Sequence, residues 1–384
     1  MKQSMRLRLL LTGLFSASIA SAGYAHASGF SIPAPLKIDA GPIGKVNVQG
    51  VVSGMGFLQT NPSGSGLNGK NAGADITSGL ITVSKSTGLI QFNLTAGAYN
   101  FPSLGEPFSS TSSTISDFGA LPLAYVTIAP LSNFSVSIGK LPSLLGYTGI
   151  FTYERTNIEG DFPWYLQTTV SRGVQVNYSM GPVSASVSWN DGYYTNRYNV
   201  VSGLVTFAIN SDNSLSIYGF GNAGHTGSIT STTRYSPNGY VNAELALDNS
   251  QIYGAYYTYT GSNFTITPEV QYIHTPKSVA LGTSASSSNI SAMIHGAYDI
   301  SNHWSIAAGI DYEHSSQSET NGFYFGYGPG SSALGVMITP TYTNDGYFIR
   351  DELSYVRLSN YTNGIGNDNR PDQIRDILET GFWF

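Results

Sequence analysis

Five residues in one stretch of the chain have the types and spacing to act on charge: Glu154, Arg155, Glu159, Asp161 and Trp164. They lie within 141–169, among Leu144, Leu145, Phe151 and Tyr165. Eight further charges, Arg172, Glu269, Asp311, Glu313, Arg350, Glu352, Arg375 and Glu379, stand in runs of alternating polarity. Rings of carboxylates and guanidinium groups around water set the ion preference of a pore. The plainer reading, solvated ion pairs without consequence for selectivity, is the commoner one for any single residue.

Bond-making chemistry is poorly represented. Gly64-x-Gly66-x-x-Gly69 and Gly219-x-Gly221-x-x-Gly224 match the dinucleotide fingerprint in letters. Neither opens an amphipathic helix, where the pyrophosphate would sit. No His-Glu-x-x-His and no Gly-x-Ser-x-Gly occurs. His225, His274 and His314 read as loop residues, and His295 and His303 as lying in or beside strands, with no Asp at a motif spacing. There is no Cys, which removes thiolate sites and disulfides. No metal centre and no cofactor is expected. A hydrolytic triad assembled from separate strands is the residual enzymatic reading, since triads are defined by geometry.

The elements that must position these charges are strands. Val174, Val176 and Tyr178 alternate with Gln175, Asn177 and Ser179; after Met180-Gly181-Pro182, Val183, Ala185, Val187 and Trp189 alternate with Ser and Asn. Period two on both sides of a tight turn is an antiparallel hairpin. The pattern recurs around seven short turns near residues 86–88, 131–133, 180–182, 211–213, 261–263, 300–302 and 344–346. Longer connections fall near 59–75, 100–120, 141–169, 191–199, 224–250, 274–288, 314–332 and 358–372. Short turns alternating with long loops predict an all-β, transmembrane, antiparallel up-and-down β-barrel of about sixteen strands, with short periplasmic turns and long extracellular loops. Val, Tyr and Trp then face lipid and Gln, Asn and Ser a wet lumen. The sheet must close, because open edges would leave unpaired backbone groups in hydrocarbon. Aromatics such as Phe134, Phe264, Trp304 and Tyr347 beside the turns fit an interfacial girdle. Two places are left open. Asp351 shares a face with Ile349, Leu353 and Tyr355, which a bulge or a shift toward the lumen would relieve. In 241–260 the spanning part is expected at 251–260.

The first 27 residues join a basic start (Lys2, Arg6, Arg8) to an apolar run and two small-x-small sites. That is a signal peptide cleaved after 22 or 27, leaving 28–44 as a short periplasmic segment and 45–384 as the barrel. No other run approaches the ~20 apolar residues of a spanning helix. Only 10% of residues are charged, against about 25% in soluble domains, as suits strands that avoid charge on their outer face. Without the first 27 residues, 14 basic residues oppose 23 acidic ones, a balance of −9. Nucleic acid is thereby excluded as partner, since phosphate binding needs a basic surface.

The chain closes on DILETGFWF, with Phe382 and Phe384 on one face. This resembles the assembly signal of outer-membrane barrels and implies contact with the barrel-assembly machinery through the last strand. The segments GKLPSLLGYTGIFTYERTNIEG (139–160), SRGVQVNYSMGPVSASVSWNDGYYTNRYN (171–199), NSQIYGAYYTYTGSNFTITPEVQYIHTP (249–276), YGPGSSALGVMITPTY (327–342) and RDELSYV (350–356) make the chain similar to the OmpL-like β-barrel porins of Gram-negative bacteria. That resemblance implies a Gram-negative outer-membrane location, with membrane lipid and lipopolysaccharide around the barrel, and porin activity: passive diffusion of small hydrophilic solutes and ions. It implies no solute and no active-site residue. A homotrimer is usual for sixteen-stranded porins. In general porins the third loop folds inward and narrows the lumen; here that loop is 141–169, so its charges are the candidate constriction and the eight strand charges the candidate lumen wall. Weak cation preference follows from the acidic excess. A surface adhesin or structural barrel, or an outer-membrane hydrolase, are the alternatives.

Overall fold

The computed structural model describes residues 32–384 apart from 65, 66, 68, 228–242, 282 and 317–324; the expected signal peptide lies outside them. Sixteen strands follow one another as antiparallel neighbours: β2 (Lys45–Gln59), β3 (Ala72–Lys85), β4 (Ile90–Tyr99), β5 (Leu123–Leu131), β6 (Phe134–Pro142), β7 (Val170–Met180), β8 (Val183–Asn190), β9 (Val200–Ala208), β10 (Asn213–Asn222), β11 (Gln251–Thr260), β12 (Phe264–Thr275), β13 (Ser287–Asp299), β14 (Trp304–Ser315), β15 (Ser332–Asn344), β16 (Tyr347–Ser359) and β17 (Asp372–Trp383). β17 pairs with β2 from Arg375↔Gln59 to Trp383↔Val51, which closes the barrel. The open edges that a membrane would not tolerate are thereby removed.

The outer face follows from the alternation. Val174, Val176, Tyr178, Val187 and Trp189 are exposed outward, while Gln175, Asn177, Ser186 and Ser188 are turned inward and buried. Toward the short-turn end the inner wall is hydroxylated, with cross-strand hydrogen bonds such as Thr127–Ser137 at 2.8 Å and Thr206–Ser216 at 2.8 Å. Such pairs satisfy polar side chains without charge.

Several sequence expectations are corrected or resolved. A four-residue strand, β1 (Leu36–Asp39), lies within the expected periplasmic segment 28–44 and pairs with the start of β2. His274 and His314 lie in β12 and β14 rather than in loops. The spanning part of 241–260 is β11, and α3 (Ala243–Asp248) precedes it. Asp351 stays on the outer face. No bulge moves it inward, and with Asp376 it sits in an outer depression lined by Gly56, Ala72, Pro340, Ile349 and Leu378. Small neighbours and Pro340, which lacks an N–H to complete the ladder, leave room there for both carboxyl groups.

The seam of the barrel ends at the last residue. Phe384 N–H donates to Gly50 O at 3.0 Å, and Gly50 N–H donates to Phe384 O at 2.8 Å. A Cβ on Gly50 would lie 2.3 Å from the Phe384 ring, so the glycine makes room for the terminal aromatic. Deleting Phe384, or Gly50→Val, should therefore cut the yield of heat-modifiable folded barrel while export continues. Normal yield from both variants would remove the closing residue from any role in assembly.

Candidate functional site

The long connection 143–169 runs back into the barrel, and its hydrogen bonds end on inward-facing wall residues. Glu352 on β16 accepts from the Ile158 and Glu159 amides at 2.6 and 2.8 Å and from Thr339 Oγ1 at 2.7 Å. Arg350 pairs with Glu379 at 2.6 Å and donates to the carbonyls of Thr152 (2.6 Å) and Arg155 (3.0 Å). Glu379 also accepts from Thr152 Oγ1 at 2.8 Å. Arg375 pairs with Glu159, donates to Ser103 O at 3.0 Å and Glu106 O at 2.8 Å, and stacks on Phe108. On β12, Glu269 accepts from Tyr147 N at 2.9 Å, Gln167 Nε2 at 3.2 Å and Tyr218 Oη at 2.6 Å. Period two makes this possible: Arg350 and Glu352 are two apart on one strand, Arg375 and Glu379 four apart on the next, so all four project inward.

The five loop candidates divide by role. Arg155 does not face open space. It is buried, donates to the carbonyls of Gly149, Ile150, Ile158 and Pro102, and lies 4.1 Å over the Trp164 ring. Its charge is spent on loop backbone, so it fastens the loop instead of meeting solute. Gly160 has only hydrogen at Cα where a Cβ would strike Trp164 at 2.5 Å, and so admits that stack. Asp161 caps α2 (Phe162–Tyr165), accepting from Trp164 N at 2.7 Å, and takes a short hydrogen bond from Thr148. Glu159 reaches Arg375, and Glu154 turns back to the Ile150 and Phe151 amides at 3.0 and 3.1 Å.

Among the strand charges, Arg172 is not part of this joint. It stands at the long-loop end of β7, where it pairs with Asp191 and stacks on Tyr194, beside the buried cluster that holds Val170. Glu313 is inward and buried, with Asn289 Nδ2 at 3.4 Å. Asp311 is buried beside His295 at 3.1 Å.

The second long connection takes part as well, which its Ser-rich sequence did not announce. Its first half enters the barrel: Leu104 N–H donates to Gly160 O and Gly160 N–H to Pro102 O, each at 2.9 Å. Leu104 packs with Phe162, Met337 and Val356, and Phe108 with Phe57, Ile158 and Ile377. The apolar residues of Phe101–Phe108 were the available signal. Its second half forms α1 (Thr111–Phe118), whose Thr111 N–H is held by Asp75 at 2.7 Å.

Burial pushes the Glu154 and Glu106 carboxyls up to about 7 each from their ordinary 4.5, offset in part by hydrogen bonds and nearby guanidinium groups. A carboxyl with a raised folded value favours the packed loop fully below its unfolded value, and that advantage is lost as pH rises through the folded one. Open-channel current noise should therefore be lower at pH 5 than at pH 8. The opposite trend would show that these carboxyls do not govern loop packing.

A family model described as "Putative beta-barrel porin-2, OmpL-like" matches residues 45–384. Among solved structures, the fold is similar to the outer membrane channel DcaP of Acinetobacter baumannii at 12% identity, covering 92% of this chain and 100% of that one, with a TM-score of 0.58. It is similar to OmpT of Vibrio cholerae at 11% identity, with 91% and 100% covered and a TM-score of 0.56. A porin of Comamonas acidovorans described as anion-selective shares 8% identity, with 88% and 99% covered and a TM-score of 0.58. At these identities the likeness concerns the fold alone. No curated protein sequence matches significantly.

Proposed function

The chain belongs to the OmpL-like β-barrel porin-2 family and is an outer-membrane β-barrel, and on that premise we propose that it conducts small hydrophilic solutes and ions by passive diffusion, with a weak preference for cations. The observation that carries this reading is the one-sided joint. Loops 100–122 and 143–169 are fastened by buried charge to β12, β16 and β17, while the inner face of β6–β9 carries no charge: Ser, Asn and Gln line it, with Leu141, Val200 and Leu204 toward the loop end. Loops clamped on one side narrow the lumen and leave a neutral polar wall opposite, along which a hydrated ion keeps its water. In this reading 141–169 is the constriction, and Arg350, Glu352, Arg375 and Glu379 hold it in place more than they filter.

Cation preference is supported by the balance of the joint. Glu159, Asp161, Glu269, Asp311, Glu313, Glu352 and Glu379 stand beside Arg155, Arg350, Arg375 and His295, and Glu106 and Glu154, pushed up to about 7, add negative charge as pH rises. An excess of fixed carboxylates lowers the energy of cations nearby, and salt screens it, to a reach of about 3 Å at 1 M. Planar-bilayer reversal potentials should favour cations at low salt and approach neutrality at molar salt. A potential favouring anions at low salt rejects the preference; absence of conductance from folded barrels rejects the pore and favours a structural or adhesive role. A hydrolase is disfavoured because the buried His295–Asp311 pair lies behind α2, out of a substrate's reach.

A further inference from the structure

Asp161, His295 and Asp311 come from three separate parts of the chain and are all buried, with one donor atom of each inside a group no wider than 4.8 Å. We propose that they form a site for a divalent transition cation of the zinc class, which joins the third long loop to the barrel wall. This departs from the expectation of no metal centre. His295 on β13 pairs with Gly309, and Asp311 stands two residues further along β14, the diagonal neighbour on the inner face. α2, capped by Asp161, packs across these two strands. Gly309 makes the imidazole's place: a Cβ there would lie 2.8 Å from His295 Nε2.

Three observations point to a cation beyond the presence of acidic groups. Asp311 Oδ1 is fully buried and makes no close hydrogen bond, the Phe162 amide of α2 being the backbone donor turned toward this carboxyl; such an oxygen costs free energy unless something positive completes it. His295 Nε2 and Asp311 Oδ2 are 3.1 Å apart, a hydrogen-bond distance within a few tenths of an ångström of the roughly 3.3–3.6 Å edge between two ligands bound at about 2.0–2.2 Å to one tetrahedral zinc ion. The guanidinium groups of the joint are committed elsewhere: Arg350 to Glu379, Arg375 to Glu159, and Arg155 to loop carbonyls. Asp161 spends one lone pair of each oxygen on Trp164 N and Thr148 Oγ1 and keeps others for a ligand. One imidazole nitrogen with two carboxylates suits zinc, whereas calcium takes oxygen ligands and more of them. An ion here would staple α2 to β13 and β14, independently of whether the barrel conducts.

The test uses the full barrel, folded in detergent without a polyhistidine tag, stripped by a chelating resin and equilibrated with Zn²⁺ alone. Elemental analysis after desalting should find close to one zinc per chain. His295→Gln and Asp311→Asn should each lower retention ten-fold or more, since even outer-shell losses weaken metal affinity by about 10–100-fold. Glu313→Gln, two residues along β14, should retain the ion, and excess Ca²⁺ should not displace it. Should the triad variants fold poorly, the wild-type barrel still decides: Zn²⁺ added to the stripped barrel should slow proteolysis within 143–169, whose α2 it fastens to β13 and β14. Wild-type barrels that retain no zinc, proteolysis unchanged by Zn²⁺, or equal retention in folded variants would overturn the site and leave a plain imidazole–carboxylate ion pair.

Discussion

Barrels lacking part of the segment between Tyr153 and Pro163 should show single-channel currents several times those of the intact chain. The segment carries Arg155, Ile158 and Glu159, through which the loop meets the carbonyls of its own turn, Glu352 and Arg375. Its removal also takes away Gly160, the backbone partner of Leu104 and Pro102, so the inward half of the second long connection loses its support at the same step. The strand ladder does not depend on either loop, because β17 and β2 close on each other directly. A folded barrel with a wider lumen is therefore the expected product, and a sixteen-stranded barrel without constriction is wide. Unchanged current from heat-modifiable deletion barrels would place the constriction elsewhere. Within the same segment Arg155→Glu should act as a structural lesion, not as a shift of selectivity, because four carbonyls and the Trp164 face lose their cation together.

The second large effect concerns Arg350. Replacing it with Ala leaves Glu379 buried and without its guanidinium, takes the charged donor from the Arg155 carbonyl, and leaves Thr152 O with the Arg155 amide at 3.1 Å. Breaking one side of a buried pair typically costs about 3–5 kcal/mol, whereas replacing both sides by apolar groups of similar volume is often neutral. The loss falls on the joint between loop and wall, so the expected result is local release: a noisier, larger current and faster proteolysis within 143–169. The double replacement Arg350→Met with Glu379→Leu should be milder than Arg350→Met alone. Equal noise and equal protease resistance in Arg350→Ala and wild-type barrels would show that this pair does not hold the loop.

The sequence by itself determined the barrel, its strand number and most strand ends. Side-chain alternation between two media is a local property, readable wherever ten residues in a row obey it, and the turn residues mark where it stops. Val174–Met180 and Val183–Asn190 lie in β7 and β8 as the Gly-Pro break implies. The inwardness of Arg350, Glu352, Arg375 and Glu379 follows from the same parity. Tertiary structure alone decided what those charges touch. On the long-loop half of the wall, inward positions such as Met55, Phe57, Leu204, Tyr218, Ile273, Met337 and Ile377 are apolar, because they pack against loop residues instead of water, and one strand's pattern cannot announce a partner that arrives from a distant loop. Arg155 illustrates the limit: its type suggests a filter, and only the surrounding carbonyls make it a fastening. Asp161, His295 and Asp311 converge for the same reason, through a strand register that offsets β14 against β13 and a loop that folds back upon both. Distance along the chain carries no record of that meeting; burial, closure and register create it.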